Sequence, residues 1–374
     1  MSESPTPTPS SHRRKRSLSR RGVIGATGAV AAGAALTPVV FAASESGDTD
    51  SSGSGDSGTT PEKFPATRTD AATGTGAATT AFAASYVGVR WSGARDGAGI
   101  RFTDGDASAS TWQSLASGCA SVEGGGTALI AAGNATAYEL KASADVDGVH
   151  SLAIDTTDGP GRTFHVPSEP TRMRGVRYLS RPAWGADESK RYKDGQVNSP
   201  EKYYPLQVLT VHHTATPNDD PDPAATVRAI YEYHAITNDW GDIGYHFLID
   251  EAGTIYEGRY SGDDGVPAFN SDGELVTAFH SLGYNSGNLG IALIGTLQDK
   301  APTNAAKAAL IRLVKVICRI KGLDPQAKVT YTNPVNGVQK DTNTIGGHRD
   351  YFATECPGQT MYDLLAEVRA AVAR

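Results

Sequence analysis

Leu206-Gln207-Val208-Leu209-Thr210-Val211-His212-His213-Thr214 begins as an aliphatic and β-branched run and ends on two histidines. Such residues suit a buried strand. Successive strand side chains point to opposite faces, so His212 and His213 cannot both face one site. Downstream, Pro221 to Asn238 carries a helical pattern, with Val227, Ile230, Tyr231 and His234 on one face. Gly244 to Asp250 reads as a strand, Glu251-Ala252-Gly253 as a turn and Thr254 to Glu257 as the returning strand. Leu289 to Ile294 is an apolar run suited to a central strand. Thr303 to Lys321 is an amphipathic helix with Thr303 as N-cap and Gly322 past its end, and Met361 to Val372 is a final helix. Strands and helices interleave. The expected fold is α/β, a mixed central β-sheet flanked by helices.

Further along lies Gly346-Gly347-His348-Arg349-Asp350-Tyr351-Phe352-Ala353-Thr354-Glu355-Cys356-Pro357-Gly358. On one helix His348 and Cys356 would be more than two turns apart, too far to share an ion. Pro357 and the glycines suggest a loop that doubles back and could bring both onto one metal, with a third ligand from elsewhere. His/Cys sets suit zinc, and three protein ligands leave a fourth position open. A packed loop without metal is the competing reading. Arg349 and Asp350 are expected to tie the loop down.

Upstream the character of the chain changes. Residues 1–44 read as a twin-arginine-type signal peptide: Arg13 to Arg16 are basic, Arg20-Arg21 precede the apolar run Val23 to Ala43, and small residues follow. A membrane anchor is the alternative, but Gly, Thr and Pro make that run a poor span. Residues 45–78 have almost no large apolar side chains and are expected to be a disordered Ser/Gly/Thr linker. Residues 79–168 carry short alternating runs at Ser85–Trp91, Thr127–Ile130, Ala137–Leu140 and His150–Ile154. They predict a small all-β, sandwich-like domain with Trp91 and Trp112 filling its core, carbohydrate binding through the ring faces being the alternative. The α/β domain takes 169–374.

The 374 residues suffice for about two domains besides a targeting segment. A net charge of −7, despite the basic N-terminus, argues against nucleic acid as the main partner. Three cysteines do not make a disulfide scaffold. Cys318 fits the apolar pattern of its helix as a buried thiol, and a Cys119–Cys318 bridge is the alternative.

Six ordered motifs within 169–374 resemble the peptidoglycan recognition protein / type-2 N-acetylmuramoyl-L-alanine amidase family. They are Ser180 to Ala186, Val211 to Ala215, Asp242 to Ile249, Gly253 to Arg259, Ala278 to Asn285, and Gly347-His348-Arg349-Asp350 with Cys356-Pro357-Gly358. The resemblance implies a Zn2+ site held by His212, His348 and Cys356, with Tyr245 and Thr354 assisting catalysis. Recognition members without activity typically replace the cysteine, so Cys356 points to an enzyme. His246 stands where many members carry Asn and is not a needed ligand. His280 matches a histidine of the family's groove.

The implied partner is bacterial peptidoglycan, bound as a muropeptide, with no nucleic acid and no stable membrane insertion; the chain is expected to be a monomer that is secreted or cell-wall associated. The implied reaction is hydrolysis of the amide joining the lactyl group of N-acetylmuramic acid to L-alanine of the stem peptide. An amide is a poor electrophile, and zinc Lewis acidity addresses that. Glu257 and Glu355 are carboxylate candidates for proton transfer, each with a structural reading beside it. A peptidoglycan-binding module without activity is the alternative, and a zinc-stabilised structural domain a third.

Overall fold

The computed structural model describes residues 58–104, 111–115, 124–263 and 266–374. The expected signal and Cys119 lie outside them. The N-terminal part is all-β: β1 (Thr59–Pro65), β2 (Arg68–Thr73), β3 (Gly76–Gly93), β4 (Ala98–Phe102), β5 (Gln113–Leu115), β6 (Gly125–Ala142), β7 (Val146–Asp155) and β8 (Gly161–Pro167). Six of these form one sheet in the order β2-β7-β3-β6-β4-β5, and β1 pairs with β8 in a separate ribbon. Residues 59–78 are therefore not part of a linker. They hold few large apolar groups, but β2 gains a full antiparallel ladder on β7, and Arg68 Nε donates to Asp155 at 2.7 Å. Pairing with an existing sheet supplies the order that composition alone does not. The runs at 127–130 and 137–140 belong to one long strand, β6. Register shifts where β3 opposes it interrupt the alternation and make it read as two.

The sheet buries both faces. Val87, Val89 and Trp91 point into a core with Ile100, Phe102 and Leu115. Tyr86, Leu152 and Ile154 point the other way, onto a helix of the α/β part. Trp91 fills the core as expected. Trp112 does not: it is half-exposed, with Arg101 at 4.9 Å and Lys141 at 4.4 Å from its ring. That place suits an aromatic whose face attracts cations.

The α/β part is built on a five-stranded sheet. Its strands are β9 (Val208–His213), β10 (Phe247–Ile249), β11 (Ile255–Glu257), β12 (Asn288–Leu293) and β13 (Ile345–Gly347), in the order β11-β10-β12-β9-β13. All neighbours are parallel except β10 with β11. The expected mixed sheet is present, with β12 in the middle. Helices α2 (Asn304–Lys321) and α3 (Gln359–Ala373) cover one face through Leu310, Leu313, Ile317, Met361 and Leu365. Thr303 caps α2 by accepting the Ala306 N–H at 3.1 Å, and Gly322 ends it in the left-handed region, φ 65°.

Helix α1 (Pro223–Glu232) covers the other face. Asp222 caps it. It runs directly into a π-helical turn, Tyr233–Thr237. The expected face of Val227, Ile230 and Tyr231 packs on the central sheet. Ala229 and Tyr233 pack on the N-terminal sheet instead, so α1 is buried on two sides. Among the described residues no helix is long and apolar enough to cross a membrane.

Candidate metal centre

Strand alternation sorts the two histidines. His213 joins Leu209 and Val211 on the α2/α3 side, where its Nδ1 accepts the Leu297 N–H at 3.0 Å. His212 joins Thr210 on the α1 side. β13 runs parallel beside β9, with Val211 opposite Gly347. The next residue of each strand, His212 and His348, therefore emerge side by side, ring centroids 4.5 Å apart. The loop then returns Cys356 to them. Its Sγ lies 3.6 Å from His212 Nδ1, and ligand atoms of His212, His348 and Cys356 all lie within 4.8 Å of one another. All three residues are buried. The structure thus brings together the three predicted ligands from two strand ends and one loop.

The loop is held by its own residues. Arg349 N–H donates to the Cys356 carbonyl at 3.0 Å, its guanidinium donates to Gln359 at 2.7 Å, and its side chain lies over Tyr362. Asp350 accepts the Gly347 N–H at 2.8 Å and the Tyr362 hydroxyl at 2.5 Å. Gly358 has φ 86°, and a Cβ there would lie 2.2 Å from the Leu297 backbone. Only glycine meets both demands.

Two observations fit this donor set to a soft or borderline metal. Neither ring nitrogen of His348 has a hydrogen-bond partner, although the residue is buried. An unmet buried polar group costs about 1–3 kcal/mol, and metal coordination would remove that cost. The second observation is the tautomer of His212. His280 Nε2 lies 3.0 Å from the Asn288 carbonyl, which can only accept, so the ring donates there and its Nδ1 is left as an acceptor. His280 Nδ1 lies 3.0 Å from His212 Nε2. His212 must then carry its proton on Nε2, which presents the Nδ1 lone pair to Cys356 and His348. A carbonyl-anchored partner of this kind fixes the orientation of a ligating imidazole. Burial, then the nearby His348 and His280, hold His212 well below the usual histidine value, in the neutral form that coordinates. Gly290 makes room: a Cβ there would lie 2.5 Å from the His280 ring.

Tyr245 is buried with its ring 5.3 Å from that of His212. The half-buried Thr354 accepts the Cys356 N–H at 3.3 Å and keeps its own hydroxyl proton to donate. His246 is committed elsewhere. Its Nε2 lies 2.7 Å from the Val276 carbonyl and its Nδ1 accepts the Gly290 N–H at 2.9 Å. His234 Nδ1 accepts the Gly244 N–H at 3.0 Å, a packing and bracing role. Glu257 is also structural: its carboxylate accepts the Arg181 N–H at 3.1 Å, and its carbonyl accepts the Trp184 indole. Glu355 is exposed, and its carbonyl holds Arg349. Cys318 is a free, buried thiol on α2.

Burial pushes His246 down to about 4 from 6.5. The unfolded chain therefore binds a proton at pH values where the folded chain does not, and stability falls as pH drops from about 6.5 toward 4. At 1.36 kcal/mol per unit, His246 contributes a loss of about 3 kcal/mol across that window. Urea titrations of metal-free protein at pH 7 and 4.5 are expected to show it, and His246→Asn to reduce the dependence, with the buried His212 and His280 supplying the remainder. An unchanged slope in that variant overturns the assignment.

One group of residues was not evident in the sequence. Asp242 is fully buried between Arg181 and Arg259, each donating at 3.0 Å, and also accepts the Ile243 and Tyr260 N–H groups. It anchors the segment that leads into Tyr245. Asp242 is visible in the sequence as an acidic residue of a motif, but its partners come from two other motifs.

Residues 202–359 match the family model described as N-acetylmuramoyl-L-alanine amidase. The peptidoglycan-recognition protein 2 of Holotrichia diomphalia is 30% identical over 178 residues, 46% of this chain and 80% of that protein. The chain belongs to this amidase and peptidoglycan recognition protein family. The human N-acetylmuramoyl-L-alanine amidase is 32% identical over 165 residues, 43% of this chain and 24% of that enzyme. Human peptidoglycan recognition protein 3 is 30% identical over 203 residues, 54% of this chain and 49% of that protein. The chain thus spans about a quarter of the first human relative and half of the second. The model match begins downstream of the N-terminal sheet.

Proposed function

We propose that this chain is a zinc-dependent peptidoglycan hydrolase that cleaves the amide between the lactyl group of N-acetylmuramic acid and L-alanine of the stem peptide. The observation that carries the reading is the buried His212, His348 and Cys356 set, ligand atoms within 4.8 Å, with both His348 nitrogens unpartnered. Family members include proteins named as amidases and proteins named for recognition, and a thiolate-containing ligand set favours the first. A zinc ion held there would supply Lewis acidity for attack on an amide.

The chain's own residues supply the rest. His280 and the Asn288 carbonyl hold His212 in its ligating tautomer. Tyr245, its ring 5.3 Å from that of His212, would donate a hydrogen bond to the oxygen of the scissile carbonyl as negative charge develops. Thr354, whose hydroxyl accepts the Cys356 N–H and keeps its own proton, would be a second donor. One such donor contributes about 3 kcal/mol in the transition state.

Incubating zinc-loaded protein with purified cell wall and assaying newly exposed alanine amino groups tests the reading. Release of alanine termini is expected; intact wall that the protein still binds would leave a recognition module instead. Tyr245→Phe is expected to lower kcat roughly 10²- to 10³-fold, with bound zinc and KM little changed. A kcat equal to that of the native chain would remove Tyr245 from the reaction.

A further inference from the structure

The N-terminal sheet grips the segment that backs Tyr245. Thr127 of β6 is fully buried, and its hydroxyl bridges Tyr233 Oη at 2.6 Å and Asn238 Oδ1 at 2.5 Å. The hydroxyl has one proton, given to the side-chain Oδ1 of Asn238, so the Tyr233 phenol donates to it. Tyr233 opens the π-helical turn and Asn238 follows its last residue, and the Asn238 N–H bonds the Tyr233 carbonyl at 3.0 Å. One hydroxyl on the sheet therefore pins both ends of the turn. Arg90 of β3 adds a bond to the Asn238 carbonyl at 3.2 Å. Gly88 lets the sheet close on the turn, since a Cβ there would lie 2.9 Å from both Thr237 and Tyr233.

Inside the pinned turn sits His234. Its Nδ1 takes the Gly244 N–H, and its ring lies 5.5 Å from that of Tyr245. A π turn carries an extra residue with poorer intrahelical bonding, and its register depends on outside support. Here that support comes from a part of the chain that the family match does not include.

We propose that Thr127 is a positioning residue for Tyr245, acting through Tyr233, Asn238 and His234, and that the N-terminal sheet is thereby part of the hydrolytic apparatus. The proposal rests on the amidase reading above. Thr127→Val keeps the shape and β-propensity of the side chain but removes the hydroxyl that links Tyr233 to Asn238. Small displacements of a catalytic group have large kinetic effects.

The test uses the full zinc-loaded chain and compares native protein with Thr127→Val, Thr127→Ser and Tyr86→Phe. Tyr86 bonds Thr226 on α1 at 2.9 Å, across the same interface but outside the Thr127–Tyr233–Asn238 hydrogen bonds, and phenylalanine keeps its ring packed beside Tyr233. Thr127→Val is expected to lower kcat roughly ten- to a hundredfold at unchanged KM and zinc content. Serine is expected to restore kcat. Tyr86→Phe is expected to lower Tm while leaving kcat unaltered. Amide exchange at Gly244 is expected to accelerate in Thr127→Val and not in Tyr86→Phe. Unchanged kcat in Thr127→Val, no rescue by serine, or an equal loss in Tyr86→Phe overturns the proposal. If the native chain cleaves nothing, the amidase reading has failed, and unaltered Gly244 exchange in Thr127→Val would then sink the coupling separately.

Discussion

Cys356→Ser is expected to abolish amide hydrolysis and to lower zinc affinity by more than about a hundredfold, beyond the loss typical of a missing outer partner. The sulfur lies 3.6 Å from His212 Nδ1 and within 4.8 Å of the His348 ligand atom, buried, at the end of a loop tied back by Arg349 and Asp350. Serine fits the space but offers a hard, protonated oxygen where a soft thiolate suits zinc. The loop is braced independently of the sulfur, so the fold should persist. Isothermal titration with zinc and a wall-binding assay separate the effects. Lost cleavage and lost zinc with retained wall binding is the expected pattern. Full cleavage by the serine variant would show that hydrolysis does not depend on this ligand, and undiminished zinc uptake would move the metal elsewhere.

The ligand types were legible because imidazole and thiol are rare donors whose placement near a turn-rich loop restricts what they can do. Alternation along β9 separated His212 from His213, and the structure places them on opposite faces as that period requires. The adjacency of His212 and His348 could not be read from spacing alone. It follows from β9 and β13 lying parallel in one sheet with Val211 opposite Gly347, a register set by tertiary packing. The mixed sheet and α2 were evident from strong periodicity and from the Thr303 and Gly322 caps.

The strands at 59–78 were not evident, because their order derives from partners rather than from apolar side chains. Burial follows Arg68, Asp70 and Ala72 on one side of β2, a pattern in which two of three residues are charged. The π turn was hidden for a related reason. Its helical face looks amphipathic from one side, while Ala229 and Tyr233 are buried by a sheet that no local pattern announces.

The Arg181–Asp242–Arg259 cluster is the clearest case of a feature invisible to local reading, and its disruption carries the second large expected effect. Arg181 and Asp242 are 61 residues apart, and Asp242 and Arg259 are 17 apart. Burial would raise the Asp242 carboxyl, but Arg181, Arg259 and two backbone N–H groups more than reverse this and hold it below the usual range. The ion is thus present in the folded state and fully paired. Asp242→Ala would leave two buried guanidiniums facing each other with no anion between them, though Arg181 keeps Glu188 at 2.7 Å. Removing one partner of such a buried set costs about 3–5 kcal/mol, much more than an exposed pair contributes. The loss should appear as a lower urea midpoint at unchanged slope. Asp242→Asn keeps the shape and two acceptor sites on one oxygen but loses the charge, and should fall between native and alanine. Because Asp242 leads into Ile243, Gly244 and Tyr245, the asparagine variant should also lose kcat at temperatures where it remains folded. Stability within about 1 kcal/mol of native in the alanine variant would mean that Glu188 and Glu201 already neutralise the arginines, as an exposed pair would allow. In that event Asp242 would hold its segment only through the Ile243 and Tyr260 amides.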